Sequence, residues 1–211
     1  QPFAIVIDGT NGTGPTPTPV PPTATPLPTN TPVPTNTPAP ASNTGWLSPT
    51  ANAATTGGDG NGFETAATNA YSDNASFAVD TNSGSNTNTN CGNAGKDRHN
   101  FYNYNASIPG SVIDGIEVRL DAKADATAGS PKICVQLSWD GGTTWTTALN
   151  TTTLTTSEAT YTLGGAANTW GRTWTTGDFS NANFRVRVIN VASNQNRDFS
   201  LDWVAVRVTY H

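Results

Sequence analysis

Two histidines, His99 within Lys96-Asp97-Arg98-His99 and His211 at the end of the chain, are the only imidazoles available for acid–base chemistry. Neither stands in a pattern that activates a nucleophile, since there is no Gly-x-Ser-x-Gly elbow and no His-x-x-x-His ligand pair. Most carboxylates alternate with Lys or Arg on the polar side of apolar segments, where solvated charges belong. A glycosidase-type carboxylate pair depends on separation in space, which spacing along the chain does not reveal. No catalytic residue is expected, and the chain reads as a non-enzyme. Asp59-Gly60-Asn61-Gly62-Phe63-Glu64 puts three oxygen-bearing side chains into a Gly-rich loop. Hard oxygen ligands suit calcium, so Asp59, Asn61 and Glu64 are candidate ligands of a structural calcium. The loop has fewer carboxylates than such a site usually gathers, and a plain turn is the simpler reading. Asp8-Gly9-Thr10-Asn11-Gly12 is a sparser version of the same pattern. No other cofactor is expected.

Ser138-Trp139-Asp140-Gly141-Gly142-Thr143-Thr144-Trp145 follows an S-x-D-x-G-x-T-W pattern. It resembles the Asp box of sialidases and other β-propeller proteins, in which Asp and Ser bond their own turn and the Trp packs beneath. A propeller would repeat the motif every 40–50 residues or so; one copy marks a structural hairpin. Trp170 and Trp174, four apart, would share a strand face and, with Trp145, could form a flat platform for stacking sugars. The competing reading puts these rings in the core, where aromatic burial contributes most, and that is the expectation. N-x-S/T sequons begin at Asn11, Asn74, Asn105 and Asn150, each a candidate N-glycosylation site. Cys91 and Cys134 are the only cysteines, the even number an exported protein with one disulfide would have. Two unrelated buried thiols is the alternative. A bridge would close a loop of about 44 residues, worth up to about 4 kcal/mol in the chain-entropy picture.

These residues must be positioned by strands. Period-two alternation dominates and no helical stripe of useful length appears. In GIEVRLDAKAD, Ile116, Val118, Leu120 and Ala122 face inward, while Glu117, Arg119, Asp121 and Lys123 face water. KICVQLSW repeats the pattern with Ile133, Val135 and Leu137. Phe77 and Val79, then Phe101, Tyr102 and Tyr104, mark two more strands. Tyr161 with Leu163, and Trp170 with Trp174, mark another two. FRVRVINV and LDWVAVRVTY complete the set. Short strands separated by Gly, Asn, Asp and Pro clusters predict an all-β fold, an antiparallel jelly-roll-like sandwich over residues 41–211.

The rest of the chain is different material. Residues 1–14 hold a short apolar alternation, with Phe3, Ile5 and Ile7 on one strand face and Ala4, Val6 and Asp8 on the other. Residues 15–40 contain 11 prolines and 8 threonines, which predicts extended polyproline II. Thr16, Thr18, Thr23, Thr25, Thr29, Thr31, Thr35 and Thr37 are candidate O-glycosylation sites, because Thr/Pro-rich segments form glycosylated stalks. Only 12% of residues are charged, the net charge is −5, and the ten basic residues are scattered, so no nucleic-acid footprint exists. No apolar run approaches the ~20 residues of a membrane span. Methionine is absent and the chain begins at Gln1, as after removal of a signal peptide. An extracellular or cell-surface protein is expected.

From about Gly57 to Tyr210 the chain resembles a β-sandwich module of secreted, Pro/Thr-linked surface proteins of environmental bacteria. The resemblance is carried by Gly62-Phe63-Glu64, Ile108-Pro109-Gly110 through Val118, Ser138 to Trp145, Trp170-Gly171-Arg172-Thr173-Trp174 and Leu201-Asp202-Trp203. It implies location and fold and brings no catalytic activity. In architecture, though in no motif, the front end is similar to donor-strand pilin subunits, where a detached strand precedes a sandwich.

Fourteen residues are too few to fold alone, and an exposed Phe-Ala-Ile-Val-Ile strand invites aggregation unless paired. In polyproline II the 26 linker residues span roughly 80 Å at about 3.1 Å each. The domain is about 40 Å across, so a stiff linker overshoots it and suits delivery to another subunit. The leading expectation is a structural subunit of an extracellular fibre, glycan-bearing, whose partners are copies of itself joined head to tail. The alternative is a carbohydrate-binding or adhesive module of a larger secreted protein.

Overall fold

The computed structural model describes residues 2–5, 9, 12, 14, 18–19, 40–55 and 57–211. The chain divides into two units, Gln1–Thr37 and Pro38–His211. In the first, residues 2–5 form no regular element, and Phe3 and Ile5 are 99% and 86% exposed. Thr18 is exposed. Ile7, Asn11, Thr16, Thr23, Thr25, Thr29, Thr31, Thr35 and Thr37 lie outside the described residues.

The second unit is the all-β sandwich that the alternation predicts. Its strands are β1 (Ser42–Asn43), β2 (Ala51–Ala54), β3 (Ala78–Asp80), β4 (Arg98–Tyr102), β5 (Ile113–Ala124), β6 (Lys132–Ser138), β7 (Leu149–Asn150), β8 (Ala159–Gly165), β9 (Arg185–Val191) and β10 (Phe199–Tyr210). The first sheet runs β1-β10-β5-β8, with β3 also on β10; the second runs β2-β4-β9-β6-β7, and every pairing is antiparallel. β10 and β5 set Ile116 opposite Val208, Val118 opposite Val206 and Leu120 opposite Val204. These side chains, with Ile133, Val135 and Leu137 of β6, Val186 and Val188 of β9 and Phe101 of β4, are buried and form the core between the sheets. Full burial of each large one contributes about 1.5–3 kcal/mol.

A second apolar layer lies outside the β6–β9 pair, where Cys134, Ile189 and Val191 are buried under Cys91 and Ala148. Cys91 is disulfide-bonded to Cys134 across 43 residues. The loop that carries Cys91 is rich in Asn because Asn bonds its own backbone two residues on: Asn86 accepts from Asn88 N–H, Asn88 from Asn90, Asn90 from Gly92 and Asn93 from Gly95. Lys96 anchors it from within. Fully buried, its ammonium donates to Ser83 Oγ at 3.2 Å, to the Asn86 carbonyl at 2.5 Å and to the Ala192 carbonyl at 3.2 Å. Burial lowers its pKa.

Three local readings change. Trp170 and Trp174 form no strand; they lie in the irregular segment after β8 and both are buried. Trp170 holds φ +55° and donates its indole N–H to the Ile116 carbonyl at 2.9 Å. Gly164 makes room for it, since a Cβ there would come within 2.8 Å of Trp170 Nε1 and 2.2 Å of the Ile116 carbonyl. On β3, Ala78 and Asp80 face inward, not Phe77 and Val79. Asp121 is buried rather than solvated, because Arg119 pairs with it at 2.9 Å and Thr160 Oγ1 donates to it at 2.5 Å. Asp202 sits where the β10 register shifts between Leu201 and Trp203. Such a bulge re-aims a side chain, and Asp202 accepts the N–H groups of Asn74, Ala75 and Ser76.

Candidate functional site

Of the strands that border the sheets, β8 is the longest at seven residues; β2 has four and β1 and β7 two each. Its outer edge can be read from neighbouring bonds. Ile116 N–H donates to the Asn168 carbonyl and Ala124 N–H to the Thr155 carbonyl, both on the β8 side of β5. Antiparallel alternation then turns Val118, Leu120 and Ala122 toward β8, opposite Leu163, Tyr161 and Ala159. The backbone groups of Thr160, Thr162 and Gly164 therefore point outward, and none meets a partner among the described residues. Side chains continue that logic: Thr160 and Thr162 are exposed, while Leu163 is buried and Tyr161 packs against the core. A groove of about 360 Å³ opens along this edge between Asn150, Thr151 and Thr152 and the residues of β8.

The aromatic rings that could have stacked sugars are otherwise engaged. Trp174 is buried, its rings tilted on Phe179 at 5.3 Å and edge-on to Phe184 at 6.0 Å. Trp145 is half-buried, with the Arg187 guanidinium 3.8 Å above its ring. The same capping recurs for Arg172 on Trp139 at 3.9 Å, Arg207 on Trp46 at 4.4 Å, Arg185 on Tyr102 at 4.4 Å and Arg119 on Trp203 at 4.7 Å. A platform of Trp145, Trp170 and Trp174 is not assembled. What the outer face of the second sheet does present is a polar strip. Arg187 donates twice to Gln136 Oε1, at 3.1 and 2.6 Å, beside Trp145. Asn100 lies on the neighbouring strand, its Oδ1 without a partner among the described residues. Burial lowers the Arg187 pKa to about 10, so it stays charged at neutral pH.

The Asp-box residues serve their own turn. Asp140 accepts the N–H of Thr143 at 3.1 Å and of Thr144 at 2.8 Å, and Ser138 Oγ donates to it at 2.8 Å. Those donors, Thr144 N–H foremost, lower its pKa to about 2. Gly141 and Gly142 take φ +76° and +99°, which glycine adopts freely. His99 is also structural: its Nδ1 accepts Phe63 N–H at 3.2 Å, which leaves Nε2–H to donate to Asn52 Oδ1 at 2.8 Å. Burial lowers its pKa to about 4. His211 lies 2.8 Å from Asp114. Glu64 Oε1 accepts Thr81 N–H at 2.8 Å, while Asp59 and Asn61 remain together in their loop. Asp97, distant in sequence, joins that loop by accepting Asp59 N–H at 3.0 Å. The sequons at Asn74, Asn105 and Asn150 are exposed.

No protein-family model matches the chain, and no curated protein matches it. Among solved structures the chain is similar to a truncated AlyQ with CBM32 and alginate lyase domains, at 14% identity and a TM-score of 0.40, covering 79% of this chain and 34% of that one. A structure described as "CBM4 structure and function" is similar at 17% identity and a TM-score of 0.39, over 64% of this chain and 73% of that one. CBM29_1, a family 29 carbohydrate-binding module from Piromyces equi, is similar at 12% identity and a TM-score of 0.33, over 80% and 91%. This chain thus spans about a third of the first of these. None of the three is described as a pilus subunit. Among the described residues no helix is long and apolar enough to cross a membrane.

Proposed function

We propose that the protein is a non-catalytic, extracellular structural subunit that polymerises head to tail, the front segment of one copy adding as a strand to the β8 edge of another. The observation that carries this reading is complementarity. Phe3 and Ile5 are the two most exposed large apolar side chains among the described residues, and β8 offers an edge of unpartnered backbone. An added strand gains backbone hydrogen bonds and buries Phe3, Ile5 and Ile7 beyond Tyr161 and Leu163, at about 1.5–3 kcal/mol each. Ordering the segment opposes this at about 1–2 kcal/mol per residue. All three apolar residues must therefore be buried, and a linker already stiffened by proline lowers the remaining cost. Because donor and acceptor surfaces differ, the contact is heterologous and propagates.

The linker threonines carry O-glycans in this reading, which further extend the tract. Mass analysis of peptides from residues 15–40 of native material is expected to show hexose-sized increments; unmodified masses throughout would contradict the glycosylated stalk.

A second reading, a carbohydrate-binding or adhesive module, matches the printed names of the similar folds. The observation that favours it is the strip of Gln136, Asn100, Arg187 and Trp145, where planar polar groups border an aromatic ring. Particle sizing of native protein, run beside sedimentation with insoluble polysaccharides, separates the two. Long polymers that ignore polysaccharide support the fibre subunit. Monomers that co-sediment support the binding module.

A further inference from the structure

The loop at 57–62 wraps the side chain of Asp97 so closely that a Cβ at Gly58 would lie 1.9 Å from Asp97 Oδ1. Asp97 immediately precedes β4 and is 1% exposed. Its Oδ1 accepts Asp59 N–H, but its Oδ2 is buried without a partner among the described residues. Burial first, and then the neighbouring Asp59, push the Asp97 carboxyl up. Asn61 donates its N–H to Asp59 Oδ1 at 3.3 Å, while its own Oδ1 is a second buried oxygen with no partner among the described residues.

Ionised carboxylates and amide oxygens only accept hydrogen bonds, so this arrangement sets acceptor against acceptor. No Lys, Arg or His pairs with Asp59 or Asp97. Of the neighbouring cations, Lys96 is bonded to Ser83, Asn86 and Ala192, and Arg98, whose side chain passes Gly57, gives one Nη to the Asn93 carbonyl at 2.8 Å while its Nε meets no partner among the described residues. Buried acceptor oxygens left unsatisfied are costly, and a nine-tenths-buried carboxylate facing another one is costlier still. A hard divalent cation resolves both, since calcium takes six to eight oxygens in irregular geometry and fills the remainder with water and backbone carbonyls.

We propose that Asp59, Asn61 and Asp97 form a calcium site that ties the 57–62 loop to the start of β4. Glu64 is left outside the proposed set, because its Oε1 is already taken by Thr81 N–H at 2.8 Å. The site is independent of how the subunits assemble.

The test is thermal unfolding of the full chain, treated with chelator and then titrated with calcium chloride, with magnesium chloride in parallel. At a hundredfold excess of calcium over its Kd the melting temperature is expected to rise by roughly 5–10 °C, and by far less with magnesium. Asp59→Asn, whose side chain is exposed and whose variant should fold, is expected to lose the rise. Glu64→Gln is expected to keep it, as is Glu158→Gln in the separate acidic group of Asp73, Glu158 and Asp202. No calcium response in the wild-type chain, or an undiminished one in Asp59→Asn, overturns the proposal. So does a response that disappears with Glu158→Gln instead.

Discussion

At the scale of single residues, the charged side chains are where sequence and structure part company. Asp121 reads as solvated from its alternation, and Lys96 is of a type rarely buried, yet each is enclosed by partners distant along the chain: Thr160 for Asp121, Ser83 and Ala192 for Lys96. Nothing in local spacing announces those partners. Asp140 is the opposite case, since all its partners lie within four residues and the S-x-D-x-G-x-T-W pattern announces them. It also makes a pH prediction. The folded pKa, about 2, lies below the ordinary aspartate value, so the unfolded chain binds the proton more readily. The stabilisation is therefore complete above about pH 4 and is lost as pH falls through about 2. Melting temperatures of wild type and Asp140→Asn should differ at pH 6 and converge toward pH 2. A gap that stays constant across that range would show that the carboxylate's charge is not what holds the turn.

Among the elements, β5, β6, β9 and β10 were legible because one face of each meets the core, which imposes a period of two on their apolar residues. Ile116, Val118 and Leu120 announce this as clearly as any residues in the chain. The segment after β8 was not legible. A spacing of four between Trp170 and Trp174 is even, and so consistent with one strand face, but the positive φ at Trp170 and the bond from its indole to Ile116 are tertiary. β3 misleads for a related reason: its small residue, Ala78, faces the core and its aromatic neighbour Phe77 lies under the Lys123 ammonium at 4.0 Å. The loop around Cys91 depends on its covalent tie. Replacing both Cys91 and Cys134 by Ser should lower unfolding stability by up to about 4 kcal/mol in denaturant titration, with faster amide exchange over residues 82–95. An unchanged midpoint would mean that the Asn turns and Lys96 suffice to hold the loop. For β8, the decisive substitution is Thr162→Pro. Its N–H points outward, so proline removes no ladder bond within the sheet but blocks an incoming strand. The variant is expected to fold and to remain monomeric. Polymers formed by it would place the acceptor on another edge.

For the whole molecule, the candidate site was half visible. Phe3, Ile5 and Ile7 stand out in the sequence as an apolar alternation before a Pro/Thr tract, which is what suggests a partner for them. The proposed acceptor edge was invisible, because which strand ends a sheet is decided by topology and not by the residues of β8 themselves. Aromatic capping was likewise hidden, since Arg187 and Trp145 are far apart in sequence and meet only across strands. The account stands on the front segment joining one copy to the next, and the size distribution of the Ile5→Asp variant tests that most directly. An aspartate at the centre of the buried face should leave residues 41–211 folded while mass photometry shows monomers where wild type shows long polymers. Polymers of wild-type length from Ile5→Asp, or a wild-type chain that is itself monomeric, would contradict it.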